Sequence, residues 1–404
     1  MTNAIAVRPS ALIALLCLAE LGTMLSVGAF AAQLPQFRAD WGLSNAEAGW
    51  IDGALQMGYL LAVPVLVGLT DRIDARRVYL AAAALGALAA MGFALFAQGL
   101  WSACLFRILA GIGLAGSFMP GLKILSDRLC GAAQSRAVAF YTASFSLGMS
   151  LSVLSAGLIG ARFGWPWAFA AAALGAALAF VIALVAVPHN PAPPIASRGW
   201  APLPLRRLLR NRAAVGYSLA YAAHMWELFG YRAWLVAFFV FAASNGGDAG
   251  GLSASALAAG VLALSLPASV IGNEAALRFG RRRLLTAVMG GSALLAPLVG
   301  LTAFLPFWTS LALCALYILT VSADSASLTA GAVAAADPSL RGGAMAFHSL
   351  IGFAAAAAGP IAFGATLDLA GADHPLGWFA AFALLGIGVG MGPLILRRLV
   401  PAAG

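Results

Sequence analysis

The chain has 404 residues, of which 62% are hydrophobic and only 9% charged, with a formal net charge of +9 and a mean hydropathy of +0.94. Soluble domains carry about 25% charged residues, so this chain cannot cover a water-facing surface, which excludes an ordinary soluble enzyme. Its apolar runs are continuous and rich in Ala, Leu and Gly, which excludes the alternating strands of a membrane β-barrel. Helices crossing a hydrocarbon core of about 30 Å are the remaining solution.

The first run, Ala11 to Ala32, is interrupted by Glu20 and is longer than a signal-peptide core, so it reads as a retained first helix. Spans follow near 10–32, 47–69, 78–98, 101–125, 137–160 and 166–187, then near 213–241, 253–276, 285–305, 308–332, 343–367 and 377–396. Between the two sets, Pro188 to Arg212 holds six prolines and five arginines and reads as a linker. The predicted fold is all-helical and polytopic, with a six-helix bundle over 1–187, a cytoplasmic linker over 188–212 and a second six-helix bundle over 213–404.

The basic residues set the expected orientation. With both termini inside, the inner loops and tails carry eighteen of the 23 Lys and Arg, the outer loops carry Arg38 and Arg162, and Arg107, Lys123 and Arg232 fall within spans. This is the positive-inside asymmetry, and it accounts for the net charge without a nucleic-acid partner. The four cysteines are scattered, without zinc-site or disulfide spacing.

The two sets resemble each other. Thr70 to Arg77 after span two is echoed by Ala276 to Arg283 after span eight, and Ala137-Val138-Ala139-Phe140 by Ala344-Met345-Ala346-Phe347. Displacements of 206 and 207 residues are the sequence mark of a transporter built from two related bundles.

On these motifs the chain resembles the major facilitator superfamily. Asp71, Arg72, Arg76 and Arg77 match that family's loop between helices two and three, whereas Val67 and Asp74 stand where it has glycines. Arg278, Gly280, Arg282 and Arg283 repeat the pattern in the second half, with Leu277 in place of the acid. The resemblance implies that these residues form a cytoplasmic latch. It also implies a twelve-helix secondary transporter whose helices one, four, seven and ten line a central cavity. Arg107, Gly111 and Gly113 follow a second family pattern in span four, there tied to proton coupling, without its glutamine. Span five lacks the proline of the drug-antiporter signature.

An ionisable residue at a helix centre costs about 2.5–3.5 kcal/mol to insert, so each one is a candidate for function. The deepest charges are Glu20, Arg107, Glu227, Arg232 and Asp324, with His224 three residues before Glu227 and on its face. All fall in spans one, four, seven and ten. Three acids against two arginines leave one negative charge unpaired, which makes Glu227, then Glu20, Asp324 and His224, the candidate proton carriers. Arg107 and Arg232 are the candidate substrate ligands, with Trp226 and Tyr231 as aromatic walls. Arg232 lies about 140° round the helix from Glu227, and a bend at Gly230 is expected to bring it back to the same side. Trp234 is a further wall candidate, Lys123 is expected to pair with Asp127, and His374 to be solvated in an outer loop.

The resulting expectation is secondary active transport of a small solute, favouring a small organic anion, driven by protons across the inner membrane. Efflux of drugs or cationic metabolites is the alternative. A copper importer has only Met345 and His348 in its favour, and a membrane-embedded sensor lacks an output domain. No nucleotide-binding loop is present, and neither cofactor, metal nor enzymatic activity is expected. The expected partners are a small molecule, protons and the bilayer, with the protein acting as a monomer.

Overall fold

The computed structural model describes residues 8–189, 205–247 and 249–401. Most of the expected linker lies outside the described residues, as does its Arg198. Among the described residues there are twelve helical segments long and apolar enough to cross a membrane. They are built from fifteen of sixteen α-helices, with the short α8 lying outside them: α1 Pro9–Met24, α2 Ala29–Trp41, α3 Asn45–Leu69, α4 Ala75–Phe96, α5 Leu100–Ser126, α6 Gly131–Phe163, α7 Trp165–Ala186, α8 Leu205–Arg210, α9 Arg212–Gly246, α10 Ala254–Ala263, α11 Ser265–Phe279, α12 Arg281–Leu301, α13 Phe307–Ala323, α14 Ser325–Ala335, α15 Arg341–Ala370 and α16 Pro375–Leu399.

Three spans are broken. The first is divided into α1 and α2 by a turn over residues 25–28, the eighth into α10 and α11 at Leu264, and the tenth into α13 and α14 at Asp324. Discontinuous helices are common at transporter sites because freed backbone groups can bind ligands there. The first span also continues to Trp41, beyond the expected end near 32. Its polar last turns are held by Gln33, whose amide donates to the Ala156 carbonyl, and by Phe37 tilted against Trp41 with ring centroids 4.6 Å apart.

Helix ends follow local chemistry. Asp74 accepts from the Arg76 amide at the start of α4, Asn211 from Ala214 at the start of α9, and Ser253 from Ala256 at the start of α10. Each satisfies one of the amides a helix start leaves free. At Gly164 the chain takes φ +91° and turns directly from α6 into α7, a conformation open mainly to glycine.

The chain forms two compact units. The first comprises Met1–Gln33 and Met57–Gly199, the second Leu34–Gln56 and Trp200–Gly404. Packing therefore departs from the 1–187 and 213–404 division at Leu34–Gln56, which joins the second unit. The reason is visible at the start of α3: Asp368 of α15 accepts from the Asn45 and Ala46 amides and from the Asn45 side chain at 2.7–2.9 Å.

Small residues set the helix spacing within each unit. A Cβ on Gly58 of α3 would collide with the Ile108 carbonyl of α5, and one on Gly359 of α15 with the Trp226 carbonyl of α9. Such contacts let backbones approach in lipid, where apolar burial supplies little drive between helices. In the first unit Leu16, Tyr79, Leu125, Tyr141 and Ala183 share a buried cluster. In the second, Trp234, Phe238, Phe363, Trp378 and Phe382 pack edge and face around α9.

Candidate functional site

In the first unit Glu20 is fully buried on α1. Its Oε2 accepts from the Tyr141 hydroxyl of α6 at 2.8 Å and from Thr23 at 3.4 Å. Oε1 is buried with no hydrogen-bond partner among the described residues. In the second unit Glu227 is fully buried on α9. Its Oε1 accepts from Ser292 of α12 at 2.6 Å and from Tyr317 of α13 at 2.7 Å, while Oε2 has no hydrogen-bond partner among the described residues. Each carboxyl group is thus anchored by hydroxyls through one oxygen and leaves the other open.

The two glutamates are 207 residues apart, the displacement that relates Ala137–Phe140 to Ala344–Phe347. They occupy equivalent positions of the two repeats. The same displacement places Tyr141 opposite His348, directly after the echoed segments. Tyr141 serves Glu20, whereas His348 lies against Ser218 and Thr329 at 3.3 and 3.4 Å and stacks on Tyr221 with centroids 4.0 Å apart. The repeat spacing is the sequence signal for this equivalence.

His224 and Asp324 are brought together. His224 Nδ1 stands 2.7 Å from Asp324 Oδ1, both buried, at the break between α13 and α14. The approach is a close polar contact without aligned hydrogen-bond geometry, since neither atom has a hydrogen-bond partner among the described residues. Tyr221, one helical turn before His224, stacks between the two histidines, with centroids 5.9 and 4.0 Å away. Glu227, His224, Asp324 and His348 thus form a polar track through one unit, set among Ser and Tyr hydroxyls.

The arginines are placed differently from expectation. Arg107 on α5 is 1% exposed and donates to the Ser26 and Val27 carbonyls at 2.8–3.1 Å. Those carbonyls sit in the turn that divides α1 from α2, and the guanidinium fork satisfies acceptors that a continuous helix would have used. Arg232 is buried with its guanidinium 5.7 Å from the Phe229 ring, and its Nε has no hydrogen-bond partner among the described residues. α9 runs from Arg212 to Gly246 with no helix break at Gly230. Gly230 serves packing instead, because a Cβ there would meet Leu385 at 2.6 Å. Arg232 therefore stays about 140° from Glu227 round an α-helix.

Of the aromatic candidates, Trp226 lies partly buried against Gly388 of α16, with its indole nitrogen unpartnered. Tyr231 is fully buried, and its hydroxyl donates to the Cys314 carbonyl at 3.0 Å. Trp234 donates to the Pro360 carbonyl at 3.0 Å inside the aromatic cluster. Tyr231 and Trp234 are helix-packing groups in this arrangement. Lys123 pairs with Asp127 at 3.2 Å. His374 caps α16, accepting from the Leu376 amide at 3.2 Å.

At the arginine-rich end of the first unit, Asp71 and Arg72 are exposed in the turn before α4, and Arg77 is exposed on its first turn. Arg76 donates to the Ala183 and Leu184 carbonyls near the C-terminus of α7, where the helix dipole favours a cation. The buried acid of this loop is Asp74, which stands where the family pattern has glycine. It caps α4 and contacts His189 Nδ1 at 2.7 Å, a partner the sequence reading did not single out. In the second unit Arg278, Arg282 and Arg283 flank the α11–α12 corner, and Arg282 donates to the Arg397 carbonyl at 3.3 Å.

Comparisons with known proteins agree with this architecture. A niacin transporter of Acinetobacter baylyi is 29% identical over 39% of the chain and 36% of its own length. A spinster homolog of Arabidopsis thaliana, described as a sphingolipid transporter, is 26% identical over 36% of the chain and 29% of its own length. The aligned stretches span about a third of those relatives. The crystal structure of the nucleoside transporter NupG superposes with a TM-score of 0.76 at 15% identity, covering 97% of this chain and 100% of that one. The family model for the Major Facilitator Superfamily matches residues 16–253, and with a match over more than half its length the chain belongs to that superfamily.

Proposed function

We propose that this protein is a proton-coupled secondary transporter of a small organic solute, working by alternating access. The observation that carries the reading is the open oxygen of Glu227. A fully buried carboxyl, held at Oε1 by Ser292 and Tyr317 and free at Oε2, can take up a proton or a cation without losing its anchor. Glu20 repeats the arrangement in the first unit and is the second carrier. His224 and Asp324 pass or balance charge one turn away on the same track. The breaks in spans one and ten, and the transporter functions named for its relatives, support the same reading.

The favoured substrate is a small organic anion. Niacin, the substrate named for one relative, is a small aromatic carboxylic acid, and Arg is a natural partner for a carboxylate. Of Arg107 and Arg232, Arg232 is the one with an open donor among the described residues, at Nε, and Trp226 offers a second open donor. A cationic amphiphile, efflux of which is the second reading, would instead meet the open oxygens of Glu20 and Glu227. Asp71, Arg72, Arg76, Arg77, Arg278, Arg282 and Arg283 act in this proposal as a latch at the cytoplasmic end. The arginine asymmetry supports inner-membrane placement with both termini inside.

The test is flux in proteoliposomes carrying a pH-sensitive dye. Pools of aromatic carboxylates, nucleosides and cationic amphiphiles are applied under an imposed gradient. Carboxylate entry with proton entry supports symport of an anion. Proton exit with cation entry supports the second reading, and solute movement with no proton signal overturns proton coupling.

A further inference from the structure

The two repeats differ in charge where α3 meets α4 and where α11 meets α12. Residues 70–77 carry Asp71 and Asp74 beside Arg72, Arg76 and Arg77. At a displacement of 206 residues the two acids become Leu277 and Gly280, the three arginines are kept as Arg278, Arg282 and Arg283, and Ala75 becomes Arg281. Orientation alone does not require this, because the first corner already supplies basic residues at the same end.

The second corner answers its charge only in part, through Arg282 on the Arg397 carbonyl and Arg278 over the Phe279 ring. Asp74 caps α4 in the first unit, whereas Gly280, at φ +89°, brings α12 in directly with no side-chain cap. Arg281, Arg282 and Arg283 therefore occupy the first turn of a helix, where the dipole and the free amides are already positive. Arg278, on the last turn of α11, and Arg397, on the last turns of α16, join them around a cavity of about 970 Å³. Among the described residues, no carboxylate lines that cavity, and Arg281 Nε is buried without a hydrogen-bond partner. Phe279, in the cavity wall, and neighbouring Leu277 are 60% and 64% exposed, so an apolar surface adjoins the cationic one.

We propose that this cavity binds the phosphodiester headgroup of an acidic phospholipid. Guanidinium forks match phosphate oxygens two at a time, and basic pockets between membrane helices take such headgroups. The lipid would neutralise the start of α12 while its chains run along Phe279 and Leu277. A free phosphate would satisfy the arginines but leave that apolar surface uncovered.

The experiment is native mass spectrometry of the full-length protein released from nanodiscs of phosphatidylcholine doped with phosphatidylglycerol or cardiolipin. The wild type is expected to retain the acidic lipids over phosphatidylcholine by at least about tenfold. The triple variant Arg281→Gln/Arg282→Gln/Arg283→Gln is expected to lose that preference. Arg72→Gln/Arg76→Gln/Arg77→Gln, equal in charge removed but at the first corner, is expected to keep it. Should the triple variant fail to fold, Leu277→Asp, which restores an acid and keeps every arginine, is expected to weaken retention likewise. Equal loss in both triple variants would overturn the site in favour of general surface charge. Displacement of bound lipid by millimolar inorganic phosphate would overturn the lipid as its occupant, as would retention unchanged by Leu277→Asp.

Discussion

His224 Nδ1 and Asp324 Oδ1 stand 2.7 Å apart, both buried, where the tenth span breaks between α13 and α14. Removing one partner leaves a polar group stranded in the interior, which costs about 1–3 kcal/mol for a buried group left unsatisfied. His224→Ala and Asp324→Asn are therefore expected to lower the thermal melting of the purified protein strongly. The double variant should melt above the sum of the two single losses, a coupling that a double-mutant cycle measures.

Arg107 makes a different prediction from the one its place in a family motif suggests. Its fork bridges the Ser26 and Val27 carbonyls in the turn of the first span. Lysine keeps the charge but cannot span two carbonyls in a plane. Arg107→Lys is expected to cost about 1.5–3 kcal/mol of stability, the value of a charge-assisted hydrogen bond. Transport by the surviving folded fraction should show an unchanged KM. A raised KM with unchanged melting would instead make Arg107 a substrate ligand.

Asp368 holds the start of α3 on α15 through three hydrogen bonds. Asp368→Ala frees the Asn45 and Ala46 amides, at about 0.5–2 kcal/mol for a lost helix cap. Hydrogen exchange should accelerate over the first turn of α3 and remain as before over α9. The Ser44–Glu47 capping box, with bonds of 2.9 and 3.1 Å, limits the effect to that turn.

Two glycines of α3 separate packing from propensity. Gly58→Ala drives a methyl group into the Ile108 carbonyl and is expected to destabilise by about 1–3 kcal/mol. Gly68 has open space around its Cβ position, so Gly68→Ala is expected to be neutral or stabilising by about 0.5–1 kcal/mol. Thermal melting of the two variants side by side reads the difference.

The spans were legible because lipid forces every backbone group into a helix and every helix into an apolar run. The titratable residues were legible for the related reason that charge in lipid is rare, and spacing alone put Glu227 and His224 on one face. What the sequence hid depends on contacts between distant segments. Nothing around residues 25–28 announces a break except Gly28, so Arg107 read as a ligand rather than as the partner of the Ser26 and Val27 carbonyls. Gly230 looked like a bend because a glycine in a helix suggests one, yet Leu385 and Gly359 had the stronger claim on it. Asp74 looked like a departure from the family pattern, and its capping of α4 needs only local geometry. Asp368 had no local signal, since its partners lie 322 and 323 residues away. The equivalence of Glu20 and Glu227 was written in the repeat displacement.

The most direct measurement is proton flux by Glu227→Gln in proteoliposomes, beside the wild type and Glu20→Gln, with solute uptake recorded in the same vesicles. Glutamine keeps an acceptor for Ser292 and Tyr317 but cannot exchange a proton, so the variant should fold and insert while proton-coupled uptake falls to background. Solute exchange without a gradient should persist, because it needs no net proton movement. Undiminished coupled flux in Glu227→Gln would contradict a proton-carrying Glu227.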